Sequence, residues 1–144
     1  MPDHKRHEGD THKNAKSMKE FVLLFRMDIS SPEAQPSARQ MELNMVDWME
    51  WMDYITDKGQ LAEGGNHLSY SGKVIRPYNA IVDEPYNAKK ETLTGYIIIL
   101  ARDMDDATHI AKKCPILQGE GTSVEIRETI TPWTMKTTKR PSRY

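Results

Sequence analysis

The sequence predicts an α+β fold in which an antiparallel sheet carries two helices on one face. Two observations predict this class. The segments "KEFVLLF" (19–25) and "TGYIIILA" (94–101) are short apolar runs, typical of strands that are buried on both faces. Each run is followed by a segment of helical apolar spacing and then by a further strand, with a small hairpin insertion in the middle of the chain. This order is the split βαβ arrangement.

The first helix is predicted over Ala38–Lys58. Ser37 stands three residues before Gln40, which is the spacing of an N-terminal capping box. One side of this helix is an apolar stripe, and the opposite side is acidic. The acidic side includes Trp51 and Tyr54, which either form a second contact surface or are incidentally exposed rings. The stripe predicted to pack on the sheet consists of Met41, Met45, Trp48, Met49, Met52 and Ile55.

The middle of the chain reads as one longer strand and a hairpin. "QLAEGGNHLSY" (60–70) is predicted as a strand with a Gly-Gly break, where a β-bulge often lies. "GKVIR" (72–76) and "NAIVD" (79–83) are predicted to pair as the two short strands of the hairpin. The chain therefore adds strands locally before it returns to the main sheet.

The second helix and the last strand follow the apolar run 94–101. Asp103 is predicted to cap the helix, and Pro115 is predicted to end it. "TSVEIRETI" (122–130) alternates apolar and polar residues and is predicted to be the last strand. The helical spacing is carried by Ala107, Ile110, Ala111 and Cys114.

One domain is predicted over residues 18–131, because a chain of 144 residues supports a single hydrophobic core. Residues 1–17 contain almost no apolar side chains and are predicted to form a flexible tail. Residues 132–144 form a basic tail in which no acidic residue balances the Lys and Arg side chains. Such a tail is usually solvated, and otherwise it binds an anionic partner.

Composition excludes several function classes. A hydrophobic fraction of 38% and a formal net charge of -1 provide no general attraction to nucleic acid or to an anionic membrane. No apolar run approaches the roughly 20 residues of a membrane span, so we expect a cytoplasmic protein. Cys114 is the single cysteine and is expected to be a packed, inert thiol. No cofactor motif occurs, and His4, His7 and His12 lack a fixed scaffold, so no specific metal site is expected.

Three residues are candidates for acid–base chemistry. Asp83 stands beside a turn fixed by Pro85, where its carboxylate either caps backbone amides or acts as a base. His67 is the only histidine of the predicted sheet, and it is either a proton-transfer group or a hydrogen-bonded structural residue. Glu63 precedes it by four residues and shares its strand face if no bulge intervenes.

Five further residues are candidates for ligand binding. Lys90 could bind an anionic ligand as a compact charge, or it could pair with Glu91 across the surface. The aromatic rings of Trp48, Tyr86 and Tyr96 could stack on a flat ligand, or they could belong to the core. The sequence leaves these alternatives open.

An ordered set of motifs resembles the YCII-related family, in particular the branch whose signature is an Asp-Gly-Pro-Phe turn. The turn is "DEPY" (83–86) here, followed by "KKE" (89–91) and then Gly95 and Tyr96. The resemblance spans roughly Met18 to Ile130. It also rests on an opening "MKEFVLLF", a "GQLAEGG" turn after the first helix, and "DMDDATHIAKKCPIL".

The resemblance implies a ferredoxin-like α+β fold assembled as a dimeric α/β barrel. Some relatives suggest lyase- or dehydrochlorinase-type activity, and we expect a small-molecule cleft beside the Asp83 turn. Two positions depart from the family pattern. Glu84 replaces the glycine of the turn, and Trp48 stands about where some members carry a histidine on the first helix. The acid–base pair of those members therefore does not carry over to this chain.

Two functions remain open from the sequence. Because two helices cover only one face of a sheet, we expect a homodimer in which a second copy covers the other face. Its clefts would bind a small organic molecule, with acid–base chemistry at Asp83, His67 or Glu63. The alternative is a non-catalytic regulatory or protein-interaction module, for example one linked to transcription, with contacts through Trp51, Tyr54 and the basic tail.

Overall fold

The computed structural model describes residues 17–30, 38–86 and 91–130. Four strands form an antiparallel sheet in the order β2-β5-β1-β6, and β3 and β4 form a separate two-stranded sheet. The predicted α+β class, with an antiparallel sheet and two helices, is confirmed. The elements are β1 (Lys19–Met27), α1 (Ala38–Asp57), β2 (Leu61–His67), β3 (Val74–Arg76), β4 (Ala80–Val82), β5 (Thr92–Ala101), α2 (Met104–Ala111) and β6 (Thr122–Glu128).

Strand β1 lies at the centre of the sheet between β5 and β6. Its residue Leu23 is paired with Ile97 on one side and with Ile126 on the other. Paired residues of neighbouring strands project to the same face, so such rows define the two faces of the sheet. We call the face that includes Leu23 the helix face, because the buried residues of both helices belong to the same core cluster as Leu23.

The core lies between the helix face and the two helices. Residues 21–26 of β1 and 95–101 of β5 alternate between buried and half-buried, as expected where the side-chain period is two. The buried apolar residues are Phe21, Leu23, Phe25, Trp51, Ile55, Ile97, Ile99, Ala101, Ala107, Ile110, Ala111 and Cys114. Asp103 caps α2 as predicted, since its side chain accepts a hydrogen bond from the backbone N–H of Asp106 at 2.8 Å.

The orientation of α1 differs from the prediction. Trp51 was expected on the outer side of the helix, but only 4% of its surface is exposed. Met45 and Met49, expected to face the sheet, are 60% and 61% exposed. The helix is rotated so that the large indole of Trp51 is buried, which removes more apolar area from water than either methionine could. Ser37 and the side chain of Met41 lie outside the described residues.

The other face of the sheet, which we call the open face, has no helix over it in the described part of the chain. Val22, Leu24, Ile98 and Leu100 project there and are half-buried. The Arg26 guanidinium lies 2.6 Å from the Glu125 carboxylate, which is on β6 in the same face. This face therefore has an apolar centre with an ion pair beside it.

The hairpin β3–β4 exposes large apolar side chains. Ile75 and Ile81 are paired across its strands and are 70% and 58% exposed. At its tip Tyr78 and Asn79 have positive φ angles of 67° and 63°, and the Tyr78 side chain is fully exposed. Such a conformation is uncommon for a bulky side chain.

None of the helices within residues 17–30, 38–86 and 91–130 combines the length and apolarity needed to cross a membrane. The predicted basic tail 132–144 and residues 1–16 of the predicted N-terminal tail lie outside the described residues.

Candidate functional site

A gap in the floor of the helix face lies between β1 and β2. Gly95 on β5 is paired with Phe25 on β1 and with His67 on β2, so these three residues form one row across the sheet. Gly95 therefore contributes no side chain between Phe25 and His67 on the helix face. A Cβ atom at Gly95 would lie 2.9 Å from the backbone oxygen of Asn66, closer than Cβ atoms ordinarily approach. The glycine therefore permits the strands to pair there.

Strand β2 bulges beside this gap. Its register with β5 shifts between Leu61 and Glu63 and again between Glu63 and Asn66. Gly65 has a φ angle of 69°, and a Cβ atom there would overlap the backbone carbonyl oxygen of Tyr96. Only glycine fits this close approach. The predicted Gly-Gly break is thus an irregular segment of an otherwise paired strand.

Trp48 covers the gap from α1. Its ring makes edge-to-face contacts with Phe25 at 5.1 Å and with Trp51 at 5.3 Å between ring centroids. Trp51 is itself held by a hydrogen bond from its Nε1 to the backbone oxygen of Ile110 at 3.1 Å. On its remaining side Trp48 lies against the imidazole of His67, with centroids 6.0 Å apart and ring planes 44° apart. These contacts hold the indole in one orientation.

Together these groups enclose a partly open cavity of about 200 Å³, which we call the aromatic recess. Tyr96 borders the recess where its backbone carbonyl lies close to Gly65. Tyr96 is paired with Leu24, so its position in β5 belongs to the open face of the sheet. The lining residues are Phe25, Trp48, Gly64, Gly65, Asn66, His67 and Tyr96. None of these described lining residues is Lys, Arg, Asp or Glu, so the recess is aromatic on two sides and carries little charge.

His67 is the imidazole among the residues that line the recess. Its Nδ1 atom lies 3.7 Å from the position that a Cβ atom on Gly95 would take, so it borders the gap. An imidazole can donate a hydrogen bond, accept one or transfer a proton. Among the described residues, no group of three or more His, Cys, Asp and Glu is arranged to hold a metal ion.

The structure does not bring the three predicted acid–base residues together. Glu63 is paired with Ile98 and projects to the open face, whereas His67 is in the helix-face row of Gly95. The bulge between them breaks the four-residue spacing on which the predicted pairing depended. Asp83 does not line the recess. It is exposed after the hairpin, where its carboxylate is in contact with the Lys73 ammonium group.

The predicted ligand-binding residues are also dispersed. Trp48 and Tyr96 border the recess, but Tyr86 is 64% exposed and lies under the Arg76 guanidinium at 5.4 Å from its ring centroid. That guanidinium lowers the pKa of the Tyr86 phenol below its ordinary value. Glu91 accepts a hydrogen bond from the Ser123 hydroxyl at 2.7 Å. Lys90 lies outside the described residues.

Two parts of the recess escaped sequence reasoning. Phe25 reads as an ordinary residue of an apolar strand, and Gly95 reads as a position in a family motif. Their pairing across β1, β5 and β2 depends on the register of three strands distant in sequence. The only local signal was an isolated glycine within an otherwise apolar strand, which often marks a place of close backbone approach.

A second, shallower depression of about 270 Å³ lies between α1 and the segment that follows α2, where Lys113, Pro115 and Gln118 line it. Tyr54 borders it, with the Lys58 and Lys113 ammonium groups 5.0 Å and 4.7 Å from its ring centroid. The pKa of the Tyr54 phenol is below its ordinary value, mainly because Lys58 donates a hydrogen bond to it. Burial raises this pKa by a smaller amount, and Lys113 lowers it further. The predicted contact pair of Trp51 and Tyr54 is thus one buried ring and one partly exposed ring.

The family model of the YCII-related domain matches residues 26–133, which include both helices and most of the sheet. A search of the curated proteins found no match.

Proposed function

The chain belongs to the YCII-related domain family, and on that premise we propose that it binds a small organic molecule in the aromatic recess, with His67 as the proton-transfer group. The observation that carries this proposal is that Phe25, Trp48 and His67 line one partly open cavity. Such a cavity offers a reactant simultaneous contact with an aromatic surface and an imidazole.

His67 would act as a general acid or base, because it lines the recess that a bound molecule would fill. The proposal does not require Glu63, which projects to the open face of the sheet. It also does not require Asp83, whose charge is opposed by Lys73. The predicted roles of Asp83, Glu63, Tyr86, Lys90 and Glu91 stay predictions from the sequence.

We further propose a ferredoxin-like fold whose two copies pack sheet to sheet as a dimeric α/β barrel. The strand order β2-β5-β1-β6, with a helix after β1 and another after β5, supports the fold. The half-buried apolar residues of the open face support the pairing, because a second copy would remove them from water. The nearby Arg26–Glu125 pair would lie at the edge of that interface.

A thermal-shift screen of small metabolites tests the binding proposal. A compound that binds only the folded chain raises the melting temperature, and at about a hundred times its Kd the stabilisation is about 2.7 kcal/mol. We expect such a compound to stabilise the wild type. It should stabilise His67→Ala less, because that variant lacks the imidazole of the recess.

Glu63→Ala is the matched control, since it changes the same strand on its other face. A compound that stabilises the wild type and the Glu63→Ala variant but not His67→Ala supports the recess as its site. Equal stabilisation of all three proteins contradicts the proposal. Where mass spectrometry detects turnover of the compound, loss of a general base at His67 should slow it by about 10²- to 10⁴-fold.

The second candidate is a non-catalytic interaction module. The exposed Ile75, Tyr78 and Ile81 side chains of the hairpin favour it, because contiguous exposed apolar groups mark interaction surfaces. In that case the wild type and His67→Ala would respond alike to every metabolite. Trp51, which the sequence suggested as a contact residue of such a module, is buried and unavailable for it.

A further inference from the structure

We infer that the ligand of the aromatic recess is a planar, essentially uncharged ring compound of one or two rings, with a polar substituent that hydrogen-bonds to His67. This inference rests on the proposed function and adds the chemical class of the ligand. Three independent properties of the recess support it: its lack of charged lining groups, its size, and the fixed orientation of Trp48.

Charge is the first property. The described residues that line the recess include no Lys, Arg, Asp or Glu, and His67 can contribute at most one positive charge. A phosphate ester or a dicarboxylate would lose hydration on entering and would find no matching pair of charges. The lining therefore discriminates against multiply charged metabolites.

Size is the second property. The recess has a volume of about 200 Å³. An apolar cavity of about 150 Å³ is large enough to bind benzene, whereas sites for drug-sized ligands have volumes of about 300–1,000 Å³. The recess itself therefore holds one substituted ring or a compact fused pair.

The Trp48 ring is the third property. Phe25 and Trp51 contact it edge to face, so its orientation is fixed before any ligand arrives. The centroids of Trp48 and His67 are 6.0 Å apart, less than the two stacking distances of about 3.5 Å each that an intercalated ring needs. A ligand ring therefore lies beside the Trp48–His67 pair rather than between the two rings, in contact with Trp48 and within hydrogen-bond reach of His67.

Three matched probe compounds test this class. Benzamide is a neutral planar ring with one polar group, cyclohexanecarboxamide has the same group on a saturated ring, and terephthalate is a planar dianion. Saturation-transfer NMR with the full chain measures the binding of each. We expect benzamide to bind, cyclohexanecarboxamide to bind roughly two- to tenfold more weakly, and terephthalate to bind more than about tenfold more weakly.

Two variants locate the binding. Trp48→Leu should weaken benzamide binding, and His67→Ala, which changes an exposed side chain and should fold normally, should weaken it as well. If benzamide binding is the same in both variants and the wild type, the ligand is elsewhere and the inference is wrong.

The outcomes distinguish a wrong ligand class from a wrong proposal that the recess binds a small molecule. If the saturated amide or the dianion binds as well as benzamide, and His67→Ala weakens that binding, the recess is a ligand site of a different class. In that case the inference fails and the proposed function stands. If the three probes and the metabolite screen all give no binding that depends on His67, both fail.

Discussion

The indole Nε1 of Trp51 on α1 donates a hydrogen bond to the backbone carbonyl oxygen of Ile110 on α2 at 3.1 Å. Both residues are buried, with 4% and 1% of their surfaces exposed. The bond directly connects the two helices above the sheet, and it fixes the ring that in turn supports Trp48. The stability of the core and the shape of the recess are therefore linked through one side chain.

Replacing Trp51 tests this link. Trp51→Phe keeps an aromatic ring but removes the N–H donor and part of the buried volume, so the free energy of unfolding should fall by about 1–3 kcal/mol. Urea denaturation measures the change. Tyr54→Phe on the same helix is the control, because its hydroxyl bond to Lys58 is exposed and should contribute less than about 0.5 kcal/mol. A Trp51→Phe variant as stable as the wild type would show that the bond contributes nothing.

The two adjacent glycines of β2 should respond differently to the same substitution. In Gly65→Ala the new Cβ would overlap the Tyr96 carbonyl oxygen at a φ angle of 69°, so we expect a loss of roughly 3 kcal/mol or more. In Gly64→Ala the new Cβ would meet the Met52 side chain at 3.7 Å, an ordinary contact, and the change should be within about 1 kcal/mol. Thermal denaturation of both variants checks the prediction, which two equal losses would contradict.

The thiol of Cys114 should be unreactive in the folded protein. Burial raises its pKa to about 12, against a smaller opposite effect of the backbone N–H of Ile116. The thiolate is the reactive form, so at pH 8 modification should be at least about a hundredfold slower in native buffer than in denaturing urea. Since Cys114 is the single cysteine, a colorimetric thiol reagent reports on it alone. Equal rates in buffer and in urea would place the thiol at the surface instead.

Asp106 should make stability depend on acidic pH. Burial raises its pKa, but the Arg102 backbone N–H, the Arg102 guanidinium and the Gln60 amide together lower it below the ordinary value of 3.8. A depressed folded pKa contributes stability that is fully present above the unfolded pKa and is lost as the pH falls through the folded pKa. Asp106→Asn should therefore lower the unfolding free energy by about 1–2 kcal/mol at pH 7 and by much less near pH 2.

The control for this prediction is Asp105→Asn, which removes the same charge from an exposed neighbour in the first turn of α2. Its effect should be within about 0.5 kcal/mol at both pH values. If the two variants show the same pH dependence, the hydrogen bonds of Asp106 do not contribute to it.

The proposed dimer makes a prediction about the open face. Ile98→Asp would place a charge at the centre of the proposed interface, so sedimentation velocity at micromolar concentration should show a monomer. Met49→Asp is the control, because Met49 is 61% exposed on the outer side of α1. We expect that variant to sediment like the wild type, as a dimer. A wild type that sediments as a stable monomer would contradict the proposed pairing.

Sequence periodicity predicted the elements of the fold well but not the rotation of α1. The apolar runs of β1 and β5 and the cap at Asp103 are local signals, and the structure confirms them. The stripe of α1 is ambiguous in the sequence, because methionines and tryptophans occur on adjacent faces of the helix. Which of the two faces is buried depends on the backbone carbonyl of Ile110, which is distant from α1 in sequence. That carbonyl accepts the hydrogen bond that the Trp51 indole needs when it is buried.

The candidate site was less predictable for a related reason. Trp48 and His67 were identified by residue type, but their proximity results from the bulges of β2. A bulge moves every later side chain to the other face, so a prediction about which residues share a face fails when the bulge is not located. For this reason Glu63 and His67, predicted to share a strand face, lie on opposite faces of the sheet.

The position of β1 also bears on how the chain acquires its fold during synthesis. Both strands that pair with β1 lie far downstream, with Lys19 beside Ala101 and Phe21 beside Glu128. Translation is vectorial, so the apolar β1 leaves the ribosome before α1, β2 and the hairpin, and well before either of the strands that pair with it. The apolar segment of β1, residues 21–25, is therefore a natural target for chaperones that shield nascent chains.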